Sequence, residues 1–298
     1  MIAMDLGGGV RGTLLHDEPM HRHTSWRVGG PAEIYFKPAD LADLQTFLAG
    51  LDPATPLTWV GLGSNLLVRD GGIDGAVVAT HGVFKALRRM DDGAVYAEAG
   101  IACARIARQC ALWGLGPANF FAGIPGTLGG ALAMNAGAFG GETWDQVRAV
   151  QTVDRNGRVH RHGKDDFEIG YRHVDGPVDE WFVSAELVFE ERPDVTLEGI
   201  RDLLARRKST QPIGLPSCGS VFRNPQGDHA ARLIEQAGLK GMQIGGARVS
   251  DMHANFIINT GDATAADVET LIETVRERVA QQFGIELVHE VRIVGRAA

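Results

Sequence analysis

The chain has 298 residues, 44 % hydrophobic and 22 % charged, with a net charge of −8. This is the balance of a soluble globular protein with two compact domains or one large one, and the acidic excess excludes a chain-wide nucleic-acid surface. No run of about 18 apolar residues offers a membrane span, and the opening MIAMDLGGGVRG lacks the apolar core of a signal peptide.

Residues 1 to about 20 carry no clear periodicity and read as a tail. AEIYFKP then reads as a strand and PADLADLQTFLAG as a helix, with Asp40 near its start and Leu41, Leu44, Phe47 and Leu48 on one face. PLTWVG is a second strand, leading into GLGSNLLVRDGG. GAVVAT and AVYAEAG follow as strands, the latter entered through the turn Asp91-Asp92-Gly93. IACARIARQCALWG predicts a helix with Ala102, Ile106 and Cys110 on a buried stripe and Gly114 at its stop. A long glycine-rich segment, FFAGIPGTLGGALAMNAGAFGGE, comes next.

Beyond it, VRAVQTVDRNGRVHRH predicts a hairpin turning on Asn156-Gly157, and WFVSAELVFE another strand. LEGIRDLLARRKSTQP is a helix stopped near Pro212, where a domain boundary is expected. The remainder reads as α+β by itself: a helix in DHAARLIEQAGLKG, a strand in HANFIINTG, and a closing strand in IELVHEVRIVG. Thr264 and Asp267 form a capping-box signature. They open a helix that buries Val268, Leu271, Ile272, Val275 and Val279 and stops at Gly284.

Thirty-nine glycines cluster in ways that suggest loops built from backbone. In GLGSNLLVRDGG, Gly61 and Gly63 let main-chain N–H groups converge on an anion, and Ser64 and Asn65 add side-chain donors. Plain turn chemistry explains that loop equally well. In the second segment Gly126, Gly129 and Gly130 precede ALAMNAG, small residues that admit a large planar ligand. The first loop matches neither the Rossmann fingerprint nor a phosphate loop with its Lys-Ser/Thr. Together the two segments suggest a dinucleotide carrying a pyrophosphate and a flat ring.

SCGSVFRNP, residues 217 to 225, sets a thiol two positions from a hydroxyl. No histidine or lysine in the stretch activates Ser220 as a nucleophile, and nothing beside Cys218 argues for a depressed thiol pKa. Small-residue packing is the expectation for Cys218, as for Cys103 and Cys110 on their helix. Three cysteines are too few for a disulfide framework and point to a reducing cytoplasm. His21-x-His23 and His160-x-His162 each put two imidazoles on one strand face. With no carboxylate or thiol cluster beside them in sequence, they read as solvated surface, and no metal site is expected.

GLGSNLLVRDGG, GIPGTLGGALAMNAGAFGGE, GYR, PSCGSVFRNP and SDMHANFIINTGDATAADV, in this order, resemble the UDP-N-acetylenolpyruvoylglucosamine reductase (MurB) family. The likeness runs from HTSWRVGGPAE to EVRIVG. It implies an α+β protein: a two-lobed FAD-binding domain of the vanillyl-alcohol-oxidase type over residues 21–211, with lobes of about 21–85 and 86–211, and a substrate domain over 212–298. The chain is similar to the shorter family type, without an extra loop before GSVFRNP. Phe139 stands where the family often has tyrosine, which removes any hydroxyl role there.

The resemblance further implies non-covalent FAD, NADPH as co-substrate and a UDP-sugar enolpyruvate as acceptor, in a monomer with no nucleic-acid or membrane partner. FAD would lie against Gly61, Gly63, Ser64, Asn65 and Leu66 of the first loop. From the second it would meet Gly123, Pro125, Gly126, Thr127, Gly129, Gly130, Asn135, Ala136 and Gly137. Tyr171, Arg223 and Asn224 are the implied substrate contacts. Three residues carry the implied chemistry. Arg172 offers a planar fork to the substrate carboxylate. Ser220 delivers a proton to carbon, and Glu290 holds a proton when negative charge peaks. An FAD-dependent oxidase of the same fold and a non-catalytic UDP-sugar sensor are the competing readings.

Overall fold

The computed structural model describes residues 9–298; of the stretch read as a tail, residues 1–8 lie outside the described residues. The rest of that stretch includes a strand, Thr13–Pro19. Most of its residues are exposed, so it carries no apolar alternation that would mark it in sequence.

The chain builds two compact units. One comprises the stretch ending at His16 together with Ile34–Gly61 and Gly75–Leu204; the other comprises Asp17–Glu33, Leu62–Asp74 and Ala205–Ala298. The units therefore interleave along the chain, and the loop GLGSNLLVRDGG changes unit between Gly61 and Leu62.

Two larger sheets have most of their residues in the first unit, beside three two-stranded ones. In the four-stranded one the order is Thr13–Pro19, Pro31–Lys37, Ile73–Ala79, Leu57–Val60, and its last two strands run parallel. Helix α1, Leu41–Gly50, starts at Asp40, whose carboxylate accepts from Asp43 N at 2.9 Å, an N-cap. Leu44, Phe47 and Leu48 of α1 are buried with Ile34 and Phe36, and the Phe36 and Phe47 rings stack at 4.1 Å. The five-stranded antiparallel sheet has the order Val159–Gly163, Val147–Asp154, Glu180–Leu187, Val95–Glu98, Leu87–Arg89. The hairpin on Asn156-Gly157 forms as its sequence signals, with Gly157 at φ 80°.

Against this sheet's apolar face pack α2, Cys103–Trp113, and α3, Leu128–Ala133. The stripe of α2 begins at Cys103 rather than Ala102, and Gly114 ends the helix in the left-handed region, as a C-cap glycine does. His160 stays on the surface at 38 % side-chain exposure while His162 is largely covered at 18 %, and each has a carboxylate beside it: their rings bond Asp154 Oδ2 at 3.0 Å and Glu180 Oε2 at 2.7 Å. Asp154 lies within the same hairpin, whereas Glu180 comes from the next strand, a pairing that local spacing does not reveal. Among the described residues no cluster of three His, Cys, Asp or Glu is arranged to hold a metal ion. Helix α4, Leu197–Thr210, spans the passage from the first unit to the second.

The second unit contains the antiparallel set Gln243–Ile244, Ala247–Val249, Ile257–Asn259 and the parallel pair Leu66–Val68 with Arg292–Val294. Helix α5 runs over Ala230–Gln236 and α6 over Ala265–Phe283. The capping box at Thr264 and Asp267 is complete, and Gly284 closes α6 at φ 67°. Val268, Leu271, Ile272, Val275 and Val279 are all buried, each contributing about 1.5–3 kcal/mol of apolar burial. Asp70 accepts from Ala265 N and Ala266 N, both at 2.9 Å, so the GLGSNLLVRDGG loop ends on the start of α6. Arg69 adds a two-pronged pair with Glu269 and holds that carboxyl below its usual range. Among the described residues no helix is long and apolar enough to cross a membrane.

Candidate active site

In the first unit the two glycine segments meet at Thr127. Gly61, at the end of strand Leu57–Val60, lies so close to Thr127 Oγ1 that a Cβ there would collide with it. On the other segment, a Cβ at Gly130 would meet only the same oxygen, at 3.8 Å. Thr127 is 1 % exposed and its hydroxyl has no hydrogen-bond partner. A buried hydroxyl left unpaired costs about 1–3 kcal/mol, so this oxygen, between two side-chain-free positions, fits a polar ligand passing against the backbone. The loop around it is rigid. Cys103 N donates to Gly126 O at 2.9 Å, Leu128 N to Ile101 O at 2.9 Å and Gly129 N to Ala99 O at 2.7 Å. Pro125 is exposed. Gly123 and Gly137 serve close packing, the former because a Cβ would stand 2.5 Å from Ala138 Cβ.

Asn135 has a different place from the ligand contact expected of it. It is 3 % exposed, and its Nδ2 donates to Glu142 Oε2 at 2.8 Å and to Gly170 O at 3.1 Å, while its Oδ1 accepts from Trp144 N at 3.0 Å. Both amide hydrogens are thus spent on protein. Ala136 N bonds Ala131 O at 2.9 Å. The turn gripped by Asn135 carries Tyr171 and Arg172. Arg172, at φ 54°, reaches back with Nη1 to Asn135 O at 3.2 Å and Nη2 to Gly137 O at 2.9 Å. Its guanidinium lies 5.2 Å from the Tyr171 ring, and that ring is exposed. The structure therefore joins Arg172 to the NAG segment of the glycine loop.

The second unit gathers Ser220, Glu290 and Asn65. Val221, directly after Ser220, accepts from Glu290 N at 2.8 Å. Asn65 Nδ2 donates to Glu290 O at 3.1 Å, and Arg292 N to Asn65 O at 3.0 Å. Ser220, Glu290 and Ser64 are half-buried. Gly63, at φ 62°, abuts the His23 carbonyl where no side chain fits, and Leu66 opens the strand paired with Arg292. Arg223 N bonds Val288 O at 2.9 Å and its Nε is buried without a partner. Asn224, exposed, turns its Oδ1 to Ala230 N at 3.1 Å, at the first residue of α5; that side-chain acceptor is engaged in capping.

Cys218 is a packing residue. It is 3 % exposed, with Sγ 3.4 Å from Leu66 O and 3.7 Å from Gly63 O, and burial pushes its thiol up to about 12. A thiol so protonated at neutral pH is no nucleophile. One residue absent from the expectations stands out: Asn255, in HANF, bonds the segment just after Ser220 through three contacts. The motif was visible in sequence, but nothing local indicated which of its residues faces residue 222.

Comparison with known proteins places this architecture. Residues 32–163 match the FAD binding domain model, and residues 211–294 match that of the UDP-N-acetylenolpyruvoylglucosamine reductase C-terminal domain. A UDP-N-acetylenolpyruvoylglucosamine reductase of Alkalilimnicola ehrlichii is 61 % identical over 96 % of this chain and 96 % of its own length. That of Methylococcus capsulatus is 60 % identical over 96 % and 95 %. Among solved structures, the reductase of the same name (MurB) from Thermus caldophilus matches with a TM-score of 0.80 at 31 % identity, covering 95 % of this chain and 99 % of that one.

Proposed function

The chain belongs to the UDP-N-acetylenolpyruvoylglucosamine reductase family, FAD-dependent oxidoreductases, and on that premise we propose that Arg172, Ser220 and Glu290 assist the reduction of the enolpyruvyl group of UDP-N-acetylglucosamine enolpyruvate, NADPH being the electron source. FAD, when bound, supplies the hydride chemistry. The chain's task is to hold a vinyl ether and its carboxylate, stabilise the charge that develops on them, and deliver one proton.

Arg172, anchored by its bonds to Asn135 O and Gly137 O, turns its remaining N–H donors to the carboxylate, so the enediolate forms beside a fixed cation. Ser220 Oγ protonates the carbon next to that carboxylate. A hydroxyl is a weak acid, but the carbon of an enediolate is a strong base, so the transfer runs downhill; general acid assistance contributes on the order of 10²–10⁴-fold. Glu290 carries a proton while the charge peaks, because an ionised carboxylate there would oppose it. Thr127, Gly61 and Gly130 receive the cofactor, and Arg223 lies on the substrate's anionic side. Residues from about 212 onward form the substrate domain. The protein acts as a cytoplasmic monomer in peptidoglycan precursor synthesis, without a nucleic-acid or membrane partner.

The observation that carries this reading is the 2.8 Å bond from Glu290 N to Val221 O: two groups required to handle protons stand on directly paired segments. The experiment separates the half-reactions. In Ser220→Ala, NADPH should still bleach the flavin at close to the wild-type rate. Return of flavin colour on adding the UDP-sugar should slow by on the order of 10² or more. Reoxidation at the wild-type rate would remove Ser220 as donor. An oxidase would regain colour with oxygen alone at a competitive rate, and a sensor would not regain it with the UDP-sugar at all.

A further inference from the structure

The motif SDMHANFIINTG takes no part in the chemistry above, yet it supplies one edge of the Ser220 segment. Asn255 O accepts from Val221 N at 3.0 Å. Its side chain then pairs both main-chain groups of the next residue: Phe222 N donates to Oδ1 at 2.9 Å, and Nδ2 donates to Phe222 O at 2.8 Å. On the other edge Val221 O accepts from Glu290 N, Arg223 N donates to Val288 O, and Phe222 bridges His289. Residues 221–223 belong to no longer strand, so on the Asn255 side one amide replaces a neighbouring strand.

We propose that Asn255 is a positioning residue for the proton transfer from Ser220, acting through the backbone of Val221 and Phe222 without touching substrate or cofactor. The proposal rests on Ser220 being the donor. A general acid must stand about 2.6–3.2 Å from the atom it protonates, and a misplacement of about 1 Å costs on the order of a hundredfold. Ser220 has a short side chain, so its hydroxyl goes where its backbone goes. Asn255 is suited to fix that backbone. It is 3 % exposed, its neighbours Ala254 and Phe256 are buried, and the turn carrying it is closed by Phe256 N to His253 O at 3.1 Å and Ser250 N to Phe256 O at 2.8 Å. A buried amide with both partners satisfied holds one arrangement, and breaking either bond leaves a dry polar group unpaired.

Asn255→Asp tests this with little change of volume. It keeps the acceptor for Phe222 N and turns a second oxygen toward Phe222 O in place of the donor. Flavin reduction by NADPH should stay within about twofold of wild type, while reoxidation by the UDP-sugar enolpyruvate slows about tenfold or more. The deciding variant is Ser220→Ala/Asn255→Asp: if Asn255 acts through Ser220, the double variant reoxidises no more slowly than Ser220→Ala. Losses that multiply in the double variant, or equal slowing of both half-reactions by Asn255→Asp, overturn the proposal. Asn255→Ser, whose single hydroxyl can replace at most one of the two bonds, should reproduce the split; if neither single variant folds and retains flavin by its visible absorbance and melting temperature, Asn255 is a fold residue and the proposal fails. A Ser220→Ala enzyme that reoxidises normally overturns the donor assignment and this inference with it. Normal reoxidation in Asn255→Asp beside a crippled Ser220→Ala overturns this inference alone.

Discussion

Cys218 sits two residues from the proposed proton donor, and its replacement by alanine should leave catalysis intact. The thiol is enclosed, and burial raises it to about 12. At pH 8 a group of that pKa is thiolate to about one part in 10⁴, whereas an ordinary cysteine near 8.5 is thiolate to about a quarter. The reactive fraction is thus suppressed roughly 10³-fold before access is considered. What the side chain does contribute is packing and a weak S–H contact to Leu66 O at 3.4 Å, together worth about 1 kcal/mol. In a chain of this size that corresponds to a drop of about 2–4 °C in melting temperature. Turnover of NADPH with the UDP-sugar should stay within about twofold. Alkylation of the native protein at pH 8, followed by peptide mass analysis, should leave Cys218 unmodified until the protein unfolds. A loss of turnover beyond about tenfold with the fold intact, or alkylation of Cys218 in step with inactivation, would refute the packing assignment and restore the thiol to the chemistry.

Alkaline stability follows from the same burial. Cys103, Cys110 and Cys218 are all buried and all raised by it, Cys110 and Cys218 to about 12. A folded pKa above the unfolded one means stability fully present below about pH 8.5 and lost progressively as pH rises toward 12. Urea midpoints between pH 8 and 10.5 should therefore fall less steeply in the triple Cys→Ala variant than in wild type, and parallel slopes would contradict this. Thr127→Val, which removes the orphan hydroxyl at nearly constant volume, should weaken FAD binding by about fivefold to tenfold, on the order of 1 kcal/mol. The melting temperature of its apoprotein should be unchanged or slightly raised; unaltered FAD affinity would show that the hydroxyl faces nothing when the cofactor is bound.

Helix α6 was legible because three independent signals agreed: period-3.6 burial from Val268 to Val279, a capping box, and a terminal glycine in the left-handed region. Strand Thr13–Pro19 was not, since its largely exposed residues carry no alternation. Helix α3 is a different kind of miss. Six residues with two glycines have little intrinsic tendency to be helical, and the turn is held by the main-chain bonds of Leu128 and Gly129 to Ile101 and Ala99. Gln243–Ile244 and Ala247–Val249 are simply too short for a period to register. The interleaving of the two units was also invisible, because Leu62–Asp74 looks in sequence like a loop of its neighbours and joins the C-terminal residues through contacts some 150 to 230 positions away: parallel pairing with Arg292–Val294, Asp70 on the start of α6 and the Arg69–Glu269 pair.

The candidate site shows the same division between local and distant information. Ser220, Arg172 and Glu290 were named through motif resemblance, which reads residue types at fixed spacing. The residues that hold their segments have no such spacing. Asn65 reaches Glu290 O across 225 positions, Asn135 reaches Gly170 O across 35, and Asn255 reaches Phe222 across 33. Each uses a side-chain amide on backbone, and in sequence an asparagine so used looks like any turn asparagine. The physical reason for the choice of residue is nevertheless general. An amide carries one acceptor and two donor hydrogens with the hydrogen-bonding character of a peptide group, so it can satisfy a short backbone segment where no strand runs alongside. A leucine at 255 would leave Phe222 N and O unpaired in a buried place, and a serine would reach only one of them. Segments that must be fixed for chemistry, yet are too short to lie within a sheet, are therefore where buried asparagines of this kind are needed.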